Sequence, residues 1–164
     1  MTNPSRSRFA RNSEIHRALL CTQLVKSMTQ DGVQIAFPAQ YSGIDMLAYP
    51  PPSDAKALIH AVPIQLATMS YSNFQRDFAA WRTSGLLVVL LNNEHEPQQV
   101  STFALSAEEL TLVQMVGLIE KGNAVKREMA AGKSALRRAL DPYCMVAGGW
   151  RAKISRWIVE RQIH

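Results

Sequence analysis

The chain has 164 residues, enough for one domain with a sizeable core, and its 47% hydrophobic content excludes a disordered polymer. Its longest strongly apolar run, Leu86–Leu91, is far too short to span a bilayer, and Met1 to Arg11 is polar and basic without a signal-peptide core, so a cytoplasmic protein is expected. The charge is uneven: residues 1–31 carry a net +3, residues 32–120 a net −5 and residues 121–164 a net +7. Basic ends around an acidic middle suit phosphate contacts from the periphery, and they equally suit solvated helix surfaces. Cys21 and Cys144 stand alone without metal-type spacing, which predicts free thiols.

In chain order, Met1 to Arg11 reads as a basic arm carrying Arg6, Arg8 and Arg11. Asn12 or Ser13 then caps a helix running to about Thr29, with Ala18, Cys21 and Val25 on one face. Glu14 heads that face, where a carboxylate is favoured by the helix N-terminus alone. After the Asp31-Gly32 turn, Val33 to Phe37 alternates as a first strand ended by Pro38. A second strand carries Asp45 and stops at Pro50-Pro51-Pro52. Ala55 to Thr68 reads as a long third strand, with a bulge or unpaired edge at Pro63 that aims Gln65 into a site.

Ser70 to Ser72 is a cap region for a helix from Asn73 to Trp81, whose Phe74, Phe78 and Trp81 read as core in preference to a base-stacking platform. Leu86 to Leu91 is the pattern of a strand buried on both faces, and Val100 to Ala104 a further strand at the sheet edge. Ser106 and Glu109 form a capping box for a helix ending at Gly122, apolar almost all round and so either buried or met by a partner subunit. Ser134 to Leu140 is a short helix. Trp150 to Gln162 is an amphipathic one, with Trp150, Ile154, Trp157 and Ile158 as its stripe.

Alternation puts Asp45 on one face with Leu47 and Tyr49, and Gln65 on one face with Ala67. A carboxylate in an apolar strand costs free energy unless it has a partner or a metal, and an edge or turn position is its simplest account. The pair of segments, Ser42-Gly43-Ile44-Asp45 and Pro63-Ile64-Gln65-Leu66-Ala67, resembles the core of the PD-(D/E)XK nuclease superfamily. There an Asp on one strand is followed by an acid-x-Lys tripeptide on the next. Leu140-Asp141-Pro142-Tyr143-Cys144-Met145 and Trp150-Arg151-Ala152-Lys153-Ile154 resemble the tail of small bacterial proteins of that superfamily.

The resemblance implies an α/β, restriction-endonuclease-like core (helix, three strands, helix, strand) with a helical C-terminal extension. The chain is then a single domain, with an arm over 1–11, a core over 12–104 and the extension over 105–164. It implies a metal-dependent DNA endonuclease, or a DNA-binding protein descended from one, acting on double-stranded DNA as a homo-oligomer. Mg²⁺ (or Mn²⁺) would be held by Glu14, Asp45, Gln65 and the backbone carbonyl of Leu66, all hard oxygen donors. Gln65 stands for the motif acid and Ala67 for the motif lysine. Losing a donor of that kind costs on the order of a hundredfold to a thousandfold in rate. Three readings of Ala67 are open: another cation takes the role, with Lys56 and Arg76 nearest in sequence; the chain binds without cutting; or alanine was put there to block cleavage. The alternative function is a non-catalytic DNA-binding or protein-interaction module that keeps only the fold.

Overall fold

The computed structural model describes residues 4–39, 43–50, 60–92, 99–123, 135–145 and 149–162. Among these, five strands lie in sequence order in one mixed sheet: β1 (Gln34–Ala36), β2 (Met46–Tyr49), β3 (Val62–Ser70), β4 (Leu86–Asn92) and β5 (Val100–Leu105). β3 and β4 run parallel, and the other neighbours are antiparallel. Five α-helices accompany them: α1 (Pro4–Gln30), α2 (Tyr71–Asp77), α3 (Ala107–Asn123), α4 (Ala135–Leu140) and α5 (Trp150–Gln162). The molecule is therefore mixed α/β. No helix among the described residues is long and apolar enough to cross a membrane.

The apolar run of β4 explains the layering. Leu86, Val88 and Leu90 point into one core, with Leu20, Leu24 and Met28 of α1 and Trp150 and Ile154 of α5. Leu87, Val89 and Leu91 point into the other, with Phe74 of α2, Leu110 and Val113 of α3 and Leu136 and Leu140 of α4. Successive side chains of a strand face opposite ways, so a continuous apolar run needs cover on both sides. Helices that follow residue 105 supply part of that cover on each face. The Trp150 and Ile154 positions of the α5 stripe are accordingly spent inside the molecule, whereas Leu112, Met115 and Val116 of α3 are exposed.

α1 begins at Pro4, not at Asn12 or Ser13, so residues 4–11 of the expected arm are helical. Proline at the first helical position has its φ already set, and the arginines and Ala10 that follow are strong helix formers. The helix ends as the Asp31-Gly32 signal predicts. Gly32 takes φ +80°, its amide donates to Thr29 O, and the Val33 amide reaches back to Met28 O. Both bonds belong to the Schellman cap, and the accompanying apolar contact is made by Met28 and Val33, both buried. Asp31 Oδ2 accepts from the Trp150 amide at 2.9 Å and so caps α5, while Trp150 Nε1 donates to Ser27 Oγ at 3.2 Å.

The segment from Asn73 to Trp81 divides. α2 starts at Tyr71 with Ser70 as its cap, and a 3₁₀ turn, Phe78–Ala80, completes it. The capping box at Ser106 is present: the Ser106 amide donates to Glu109 Oε2 at 2.7 Å and the Glu109 amide to Ser106 Oγ at 3.3 Å.

Of the bulge or unpaired edge expected at Pro63, the structure has the unpaired edge, on the β4 side. Pro63 faces Leu47 in regular register, between the Met46–Ile64 and Ala48–Val62 pairs, and it precedes the β4 ladder, which starts at Ile64–Leu86. Its lack of an amide hydrogen costs nothing there. The expected start of β3 at Ala55 lies outside the described residues. Gly85 passes so close to Pro63 that an added Cβ would stand 1.9 Å from the Pro63 carbonyl oxygen. Gly85→Ala should therefore force the backbone apart and lower the unfolding free energy by about 3 kcal/mol in urea titration. An unchanged midpoint would contradict this close crossing.

Candidate functional site

β2 pairs with β3 only as far as Met46–Ile64. One residue earlier, the Asp45 amide donates to Ile64 O at 2.9 Å. Two consecutive residues, Asp45 and Met46, thus stand against Ile64, which is the arrangement of a bulge on the β2 side. Beyond that point, among the described residues, β3 continues through Leu66 to Ser70 with a partner strand on its β4 edge alone. The Asp45 carboxylate takes the first amide of the unpaired edge: Leu66 N donates to Oδ2 at 2.7 Å. Its other oxygen, Oδ1, accepts from Arg17 Nη2 of α1 at 3.2 Å. Asp45 keeps only 20% of its side-chain exposure, whereas Arg17 keeps 55%. The pair is therefore largely solvent-screened and contributes at most about 1 kcal/mol.

This parting of strands opens a pocket of about 400 Å³ lined by Arg17, Asp45, Gln65, Ala67, Trp81 and Arg82, among others. Four of the positions singled out in the sequence, Asp45, Gln65, Leu66 and Ala67, meet there. Ala67 is partly buried and also packs on the α2–α4 side of the sheet. The Gln65 Oε1 atom is buried and has no hydrogen-bond partner among the described residues. Leu66 turns its amide to Asp45, and a strand residue presents its N–H and C=O to the same edge, so its carbonyl also faces the unpaired side.

Glu14 is exposed on α1, three residues before Arg17. The α1 side chain bonded to Asp45 is the arginine. Among the described residues no group of three or more His, Cys, Asp or Glu side chains could hold a metal ion. One carboxylate, an unmet amide oxygen and a backbone carbonyl nevertheless fit Mg²⁺, which binds through one or two carboxylates and keeps several waters. Such an ion would share Asp45 with Arg17.

The cations of the pocket differ from those nearest in sequence. Lys56 lies outside the described residues. Arg76 is exposed and holds both oxygens of Asp77, each at 2.8 Å. Arg17 and Arg82 line the pocket instead. Sequence reasoning missed Arg17, whose one local signal is its place about one turn beyond Glu14 on α1. Arg82 directly follows the last of the helix-spaced aromatics, and Trp81, expected in the core, is half-buried at the pocket. Its helix-mates Phe74 and Phe78 are fully buried.

Cys21, one turn beyond Arg17, registers the charge at this site. Burial first, and the Asp45 carboxylate second, push its thiol above the ordinary value, and Arg17 pulls it down. In a Cys144→Ser background, Cys21 should alkylate slowly near pH 9, because the thiol stays protonated as the pH passes its unperturbed value. Adding Asp45→Asn removes a raising influence and leaves Arg17, so iodoacetamide should react faster and the pH–rate curve should move to lower pH. An unmoved curve would place Cys21 beyond the reach of Asp45. Compared with protein-family models, with curated proteins and with solved structures, the chain matches none.

Proposed function

We propose that the chain is a DNA-binding protein with a restriction-endonuclease-like core. In this reading it cleaves weakly or not at all, because Ala67 stands where the superfamily motif has its lysine. The observation that carries this reading is the meeting of Asp45 and Gln65 in one pocket, at the point where β2 leaves β3. The order α1, β1, β2, β3, α2, β4, with β3 parallel to β4, supports it.

Asp45, Gln65 and the Leu66 carbonyl are the groups that would hold Mg²⁺ (or Mn²⁺). When bound, such an ion polarises a phosphoryl oxygen and lowers the pKa of a bound water. The chain's own residues do the rest. Arg17 and Arg82 offer positive charge to a phosphodiester, and Asp45 fixes Arg17 at the mouth of the pocket. Ala67 has neither a proton to donate nor a charge. The Arg17–Asp45 pair favours a second reading, binding without chemistry, since an arginine already satisfies the carboxylate that an ion would use.

The protein should bind duplex DNA through its basic ends, with log affinity falling against log salt at about 0.9 per phosphate contact in gel shifts. No affinity at low salt would leave the protein-interaction module as the better account. Ala67→Lys should fold and nick supercoiled plasmid in the presence of Mg²⁺ at least about a hundredfold faster than the parent chain. Asp45→Ala should abolish that activity. A folded Ala67→Lys protein that never cuts would leave binding alone.

A further inference from the structure

The wall of the pocket contributed by Trp81 and Arg82 is held from several directions. Gln114 Nε2 of α3 donates to Phe78 O at 2.8 Å and to Trp81 O at 2.9 Å. Arg82 Nη1 donates to Ala79 O at 3.0 Å and to Trp81 O at 2.6 Å. These bonds reach the carbonyls where the 3₁₀ turn ends, Phe78 O accepting from the Trp81 amide as well, and they fix the corner at which both side chains meet the pocket. Arg82 spends one nitrogen on them, and its Nε and Nη2 have no partner among the described residues. The Trp81 ring meets Phe74 at 75° with centroids 6.0 Å apart, an edge contact that anchors the indole from the core side.

We propose that this pocket takes one unpaired nucleotide of a nucleic-acid strand, with its base against Trp81 and its phosphate at the guanidinium groups of Arg17 and Arg82. The inference rests on the phosphodiester reading above and names the substrate class of the same site. Two arginines against one carboxylate leave the pocket a single net positive charge, which one phosphodiester neutralises. The volume, about 400 Å³, is at the lower end of the range for small-ligand sites and suits one nucleotide unit. A base inside a duplex is stacked on both faces and has none to offer an indole, whereas an unpaired or flipped base does. Selection for an unpaired position is thus built into a pocket walled by a fixed tryptophan.

The test is fluorescence anisotropy on the full chain, with a labelled oligothymidylate of roughly 15 nucleotides and a blunt duplex of equal length. The parent chain should bind the single strand more tightly than the duplex. Trp81→Ala should weaken single-strand binding about tenfold and by a larger factor than duplex binding, and Trp81→Phe should retain most of the affinity. Arg82→Gln should reduce the salt slope on the single strand by about one contact. Circular dichroism identifies any variant that fails to fold, and the parent chain's preference needs no variant at all. Equal affinity for the two probes overturns the unpaired-nucleotide inference and leaves the phosphodiester reading standing. Binding of neither probe at low salt overturns both.

Discussion

The double tie of Asp45 to β3, by its amide to Ile64 and by its carboxylate to Leu66, decides where the sheet opens. A strand that loses its neighbour exposes amides that still need acceptors. Asp45 supplies the first of these with a side-chain oxygen, so the ladder ends without leaving that group unmet. Gly43, two residues before Asp45, takes φ +80°, and an added Cβ there would lie 4.0 Å from Gln65 Nε2. The opening of the sheet edge and the side-chain partner of Arg17 both go back to this one residue.

The rest of the molecule keeps that edge rigid. Six consecutive residues of β4 are buried, three toward each core, and their burial contributes on the order of 10 kcal/mol before conformational entropy is subtracted. β3 is bonded to β4 along its whole open half, so the unpaired edge cannot curl away. On the far side of the sheet from α1, α3 reaches past its own core contacts through Gln114 to hold the turn that bears Trp81 and Arg82. A site assembled from a first helix, a strand edge and a turn is thereby fixed by contacts that span most of the described chain.

What was legible in the sequence was periodicity and punctuation. The continuous apolar run of β4, the Asp31-Gly32 stop and the Ser106–Glu109 box each correspond to one local interaction, and each is found where expected. Asp45 and Gln65 were legible as positions, and they do line one pocket. Two things were not legible because they depend on packing between distant segments. Alternation assigned Asp45 to a strand face, but its place one residue before β2 turns its carboxylate along the β3 edge. Likewise the approach of Arg17 to Asp45, across 28 residues, has no local signature. Of the two outcomes expected at Pro63 the unpaired edge is the one found: a proline disrupts only the edge its amide would serve, and on the β4 side that edge had not yet begun.

The cap that Asp31 places on α5 spans 119 residues, and the Ser27–Trp150 bond spans 123. Such contacts close late, because the loop they complete is about three quarters of the 164-residue chain. During synthesis the sheet and α1 emerge long before Trp150, and until it arrives Leu24, Met28 and the even-numbered side of β4 lack one of their covers. Until α5 docks, the growing chain therefore carries a wet apolar face there, and docking of α5 is the step that removes it.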